Sequence, residues 1–106
     1  MYEFITKQNR KLVLDLEGEG VTFRYVTRAG VFHVGRSWAH IHALLTKLQN
    51  WKTYSARDQS LDVWMQDQEL CLRFRTPEMG MDELCKLSPE ETARIMDFLG
   101  RAPNLN

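Results

Sequence analysis

The sequence predicts an α+β domain of two pseudo-symmetric repeats, each an antiparallel half of three to four strands followed by one α-helix. Three observations predict it. Between Leu12 and Thr27 every residue aligns without a gap onto the residue 49 positions later, and the inward candidates stay apolar: Leu12/Leu61, Leu14/Val63, Leu16/Met65, Val21/Leu70, Phe23/Leu72 and Tyr25/Phe74. Each hairpin is then followed by a glycine (Gly30, Gly80), a serine placed to cap a helix (Ser37, Ser88) and a helical stripe. Finally, 106 residues suffice for one core, whereas either half alone is too small to stand without the other. The expected organisation is one domain over residues 1–106, with repeats of about 2–50 and 52–100. Within that ungapped stretch identity is limited to Leu12/Leu61, Arg24/Arg73 and Thr27/Thr76, so the pattern carries the argument.

In chain order, Tyr2 to Thr6 reads as either an edge strand or a frayed terminus. Lys11 to Glu17 points Leu12, Leu14 and Leu16 to one face; Gly18, Glu19 and Gly20 turn the chain, and Val21 to Thr27 returns with Val21, Phe23 and Tyr25 inward. Pairing Leu16 with Val21 sets Leu14 opposite Phe23 and Leu12 opposite Tyr25, so a single register buries all six. Val31 to Val34 is a third, short strand. Ser37 then caps a helix to about Asn50, with Trp38, Ile41, Leu44, Leu45 and Leu48 on its apolar stripe. Trp51 to Ser60 is the linker, with room for a short strand.

The second hairpin, Leu61 to Met65 and Leu70 to Arg75, turns at Asp67 and Gln68. Thr76 to Gly80 breaks it, and Met81 to Lys86 is open between strand and loop. Ser88, Pro89, Glu90 and Glu91 then supply a cap, a proline at the first helical position and a glutamate able to close a capping box. The last helix carries Thr92, Ile95, Met96 and Leu99 on its stripe and is expected to stop at Gly100 in a C-terminal cap, leaving a loose tail.

Fourteen Lys and Arg balance fourteen Asp and Glu, so no global field draws the molecule onto nucleic acid or anionic lipid, and any such binding must come from local charge. No apolar run approaches a membrane span and the N-terminus lacks a signal-peptide core, so a cytoplasmic protein without membrane association is expected. In that compartment Cys71 and Cys85, which lack C-x-x-C spacing, are expected to be reduced thiols. His40 and His42 sit about 200° apart around a helix and His33 on the preceding strand, so neither a metal site nor another cofactor is expected. Asp15, Glu17 and Asp62 lie on open strand faces with no apolar pocket to shift them. No nucleophile elbow or phosphate loop is present, and an enzyme is not expected.

The outward strand faces say more. The second hairpin shows Asp62, Trp64, Cys71, Arg73 and Arg75; the first shows Val13, Asp15, Thr22, Arg24 and Val26, with Arg28 beyond. Guanidinium groups for phosphate and an indole for base stacking are the parts of a single-strand binding surface, which makes Arg24, Arg28, Trp64, Arg73 and Arg75 the candidate residues. The same register sets Asp62 opposite Arg73, so a cross-strand ion pair competes for that arginine.

Lys11 to Glu17 followed by Val21 to Tyr25, and Leu70 to Arg75 followed by Leu87 to Glu91, resemble the hairpins and trailing helix of the PUR-repeat and Whirly-type group of nucleic-acid-binding proteins. The resemblance covers about residues 2–100. It implies repeats of several strands and one helix, and a curved sheet that binds single-stranded DNA or RNA through basic and aromatic side chains; by position, these are Arg24, Arg73, Arg75 and Trp64. A second reading, from the charge balance and from Trp38, Trp51, Trp64, Tyr54 and Phe98, is a small interaction protein, such as an adaptor or a phage-encoded inhibitor, that covers a partner's surface. Homodimerisation is compatible with either.

Overall fold

Apolar residues alternating along the strands, and recurring with helical spacing between them, give seven strands and two helices among the described residues. The structure, a computed structural model, describes residues 2–50, 61–76 and 80–101, apart from the side chains of 44, 47–50 and 76. Strands β1 (Tyr2–Ile5), β2 (Lys11–Glu17), β3 (Gly20–Val26) and β4 (Val31–Ser37) form one antiparallel sheet in the order β1-β2-β3-β4 and lead into α1 (Trp38–Asn50). Strands β5 (Leu61–Gln66), β6 (Glu69–Thr76) and β7 (Met81–Lys86) form a second antiparallel sheet and lead into α2 (Pro89–Arg101). The segment open between edge strand and frayed end is thus an edge strand, and Met81–Lys86 is a strand.

Both hairpins take the register that buries their apolar faces. Leu12 pairs with Tyr25 and Leu16 with Val21; Leu61 pairs with Phe74 and Met65 with Leu70. Of the twelve inward candidates, ten are buried, and Leu16 and Met65 are partly so. The first hairpin turns at Gly18 and Glu19, with Gly18 at φ 55°. The second turns at Asp67 and Gln68, both left-handed (φ 52° and 68°), the arrangement whose twist matches paired strands.

Both helices begin on their serines: Ser37 Oγ accepts from the His40 amide and Ser88 Oγ from the Glu91 amide, each at 3.2 Å. The expected capping box is diverted. Glu91 Oε2 accepts from the Ile5 amide of β1 at 2.9 Å and Oε1 from Arg94, so the carboxylate ties the sheet edge to the helix. Gly100 is a further correction: it lies inside α2, which runs to Arg101, and it is not left-handed. The expected linker strand, the break at 77–79 and the tail from 102 lie outside the described residues.

One core unites the sheets and helices. Ile41 and Leu45 of α1 and Ile95, Phe98 and Leu99 of α2 pack with the inward strand residues, while Trp38 and Met96 are partly buried against them. At one end of this core Tyr25 stacks on Phe74 with ring centroids 5.1 Å apart, and Phe32 lies 5.8 Å from Phe74. The Tyr25 hydroxyl donates to the Leu84 carbonyl of β7 at 2.8 Å and accepts from Arg10, whose guanidinium also pairs with Glu83 at 3.1 Å. Burial pushes the phenol pKa up against the opposing pull of Arg10, so the hydroxyl keeps the proton it donates.

Thr92 fastens α2 to β6, since its buried Oγ1 accepts from the Leu70 amide at 2.8 Å. Thr92→Val keeps the shape and strands that amide, and is expected to cost about 1–3 kcal/mol in urea unfolding. An unchanged midpoint would show that the bond contributes nothing. Burial alone would raise the Glu91 pKa, but Arg94 and the Ile5 amide hold it below the ordinary value. Its stabilisation is therefore present above the unfolded glutamate pKa of about 4.3 and fades as pH falls through the lower folded value. Glu91→Gln is expected to be less stable than the parent at pH 7 and to converge with it in acid; a gap independent of pH would contradict this assignment.

Candidate nucleic-acid interface

Strand alternation sends Asp62, Trp64, Arg73 and Arg75 to the outward face of the three-stranded sheet, joined there by Asp82, Leu84 and Lys86 of β7. Cross-strand rungs run Trp64, Cys71, Lys86 and Asp62, Arg73, Leu84, with Arg75 opposite Asp82 in the next. Trp64 and Arg73 thus lie on adjacent rungs of neighbouring strands, within the span of consecutive nucleotides.

The ion pairs on this face differ from the expected one. Asp62 does sit opposite Arg73 in register, yet its carboxylate is held by Arg75 Nη2 at 2.6 Å, one diagonal step away. Arg73 Nε turns to Asp82 at 3.1 Å, a partner supplied by β7. Both members of this second pair are about half exposed (48% and 52%), whereas Asp62 is only 15% exposed. In the first pair the carboxylate is thus shielded while Arg75 is 38% exposed, and the second pair is open to water on both sides. Lys86 adds a further cation on the same face.

Trp64 is half-buried and not fully solvent-facing as expected. Directly opposite it, Cys71 is fully buried although it points away from the core, so the indole lies on a face that is already covered at that rung. Burial raises the Cys71 thiol pKa, with Lys86 and Lys7 opposing, and pushes that of Cys85 far up. Both cysteines are free thiols.

The other two candidates lie elsewhere. Arg24 is on the outward face of the four-stranded sheet, 3.8 Å from Asp15, and Arg28 is exposed in the turn between β3 and β4. The two outward faces belong to different sheets with a common core, so the five residues do not form one patch. Lys86 and Asp82 were missed by sequence reasoning because β7 was not assigned as a strand; the signal that could have placed them is Cys85, whose inward position fixes the alternation around it.

Of the large side chains that suggested a partner surface, Phe98 is buried and Trp38 and Trp64 are half-buried, while Trp51 and Tyr54 lie outside the described residues. His33, His40 and His42 are exposed, and among the described residues no cluster of His, Cys, Asp or Glu could hold a metal ion. No helix among them is long and apolar enough to cross a membrane. Comparison with protein-family models, curated proteins and solved structures finds no match to this chain in any of the three.

Proposed function

We propose that the chain is a two-repeat protein that binds single-stranded DNA or RNA on the outward face of the β5-β6-β7 sheet. What supports the repeat is the shared register of the two hairpins at an offset of 49 residues, the left-handed glycines Gly30 and Gly80, and two serine caps of equal length. The first half has four strands followed by one helix, in keeping with the several strands and one helix that the PUR-type resemblance implies. An experimental structure in which β2-β3-β4-α1 and β5-β6-β7-α2 fail to superpose would remove this part of the reading.

The observation that carries the binding function is Trp64 beside Arg73 and Lys86 on adjacent rungs of one face. A phosphate can displace Asp82 from Arg73, because an exposed pair of this kind is worth only about 0.2–1 kcal/mol. Arg75 is held more firmly by the shielded Asp62. Arg73 is therefore the principal phosphate contact, Trp64 the stacking surface, and Arg75 the residue that fixes Asp62 away from the strand. No cofactor or catalytic group enters this reading.

A second reading has its own observation. Ile5, Val26 and Val31, 46%, 40% and 48% exposed, lie at one end of the outward face of the four-stranded sheet. Such a strip fits contact with a protein partner or a second copy of the chain. Ile5→Glu with Val31→Glu would then abolish a complex or dimer seen by sedimentation and leave oligonucleotide binding unchanged.

Arg73→Ala is expected to weaken oligonucleotide binding for all sequences alike and to flatten its salt slope by about one unit, with Arg75→Ala smaller in effect. Trp64→Ala is expected to remove about 1–3 kcal/mol with little change in slope, since stacking releases no counterions. Fluorescence anisotropy at several salt concentrations measures both. Absence of binding by the unmodified protein at low salt would discard the mechanism and favour the interaction reading.

A further inference from the structure

A second basic region lies away from this sheet face. The turn joining β1 to β2 and the turn joining β3 to β4 meet at one end of the four-stranded sheet around an open hollow of about 580 Å³. Its polar lining is Gln8, Asn9, Arg10, Lys11, Thr27 and Arg28, with Val26 as the apolar member. Three basic residues, Arg10, Lys11 and Arg28, thus line it, and no carboxylate lines the hollow among the described residues.

The carboxylates that touch these cations leave most of their donors available. Glu83 and the Tyr25 hydroxyl engage Arg10 through Nη1 alone. Lys11 is 3.9 Å from Glu3, and both are exposed, so that pair is weak. Arg28 makes no ion pair among the described residues. The first turn is also held in shape: Thr6 accepts from the Asn9 amide at 2.9 Å through its carbonyl and from the Arg10 amide at 3.0 Å through Oγ1, with Asn9 left-handed at φ 62°. In the second turn Thr27 Oγ1 accepts from the Ala29 amide at 3.1 Å. Ordered turns hold their donors without a large entropic cost on binding.

We propose that this hollow binds a phosphate monoester, carried either by a free nucleotide or by the 5′ end of a nucleic-acid strand. The inference goes beyond the sheet-face reading and does not rest on it. A monoester carries about −1.5 to −2 charges at pH 7 and offers three acceptor oxygens, which suits a site with three cations better than a singly charged diester or carboxylate. Guanidinium groups from Arg10 and Arg28 can each present a planar fork to those oxygens, with Lys11 as a point charge. The volume falls in the range of small-molecule sites of about 300–1,000 Å³, so it accommodates more than a bare phosphate.

The test is an amide-shift titration of the ¹⁵N-labelled full chain with inorganic phosphate, thymidine 5′-monophosphate, thymidine, and oligothymidylate with and without a 5′-phosphate. The expected result is saturable shifts at Gln8, Asn9 and Arg28 with phosphate-bearing probes and none with thymidine. Saturation by the mononucleotide assigns the free nucleotide as source; saturation only by the 5′-phosphorylated oligonucleotide assigns the strand end. Arg28→Ala is expected to weaken the binding about tenfold, with partial recovery in Arg28→Lys, since one charge-assisted hydrogen bond is lost. Unchanged unfolding midpoints confirm that the variants fold. The proposal is overturned if no phosphate-bearing probe shifts these amides, if thymidine shifts them equally, or if Arg28→Ala binds as the parent does. Shifts confined to Trp64 and Arg73 would support the sheet-face reading and overturn this one.

Discussion

Among the described residues the two sheets share no strand ladder, so their union depends largely on side chains, Tyr25 prominent among them. Its ring packs against both Phe32 and Phe74 while its hydroxyl crosses to the backbone of β7. A phenylalanine there would supply the stacking and leave the Leu84 carbonyl and Arg10 without that partner. The aligned position in the other hairpin is Phe74, which lacks the hydroxyl, so the junction is made from one side only. A backbone bond from the Lys7 amide to the Lys86 carbonyl, 2.8 Å long, closes the same end of the molecule. Arg10 belongs both to this junction and to the lining of the hollow at the end of the four-stranded sheet, so one residue serves both.

The hairpins were legible because burial there is a matter of alternation, and alternation is written residue by residue. Leu12, Leu14, Phe23 and Tyr25 share the inward face when Leu14 pairs with Phe23, and a one-residue slip would turn one strand's set outward. Strand β7 was not legible for the converse reason. From Met81 to Lys86 only Cys85 is fully buried, and what makes the segment a strand is pairing with β6, a tertiary fact. Gly100 illustrates a different limit: glycine permits a left-handed stop without requiring one, and here the helix continues.

The candidate site was legible at the level of faces and illegible at the level of partners. Side-chain parity assigned Trp64, Arg73 and Arg75 to one surface. Which carboxylate meets which guanidinium depends on a diagonal reach of two residues and on an aspartate from β7, so the pairings of Asp62 and Arg73 could not be read from opposition alone. Parity also fails to say whether an outward face is open. Val13 and Cys71 both point away from the core and both are buried. Glu91 shows the same at the helix cap, where a nearby strand edge offered a donor that the local motif does not contain.

The two thiols are placed as a pair of built-in reporters. Cys85 lies within the common core, while Cys71 lies on the far side of β6, opposite Trp64. Burial keeps both protonated, and the thiolate is the reactive form. Alkylation of Cys71 would then register loosening of the outer covering of the sheet, and alkylation of Cys85 would register parting of the two sheets themselves. The relative trapping rates of the two cysteines would rank these openings within one chain, without any introduced label.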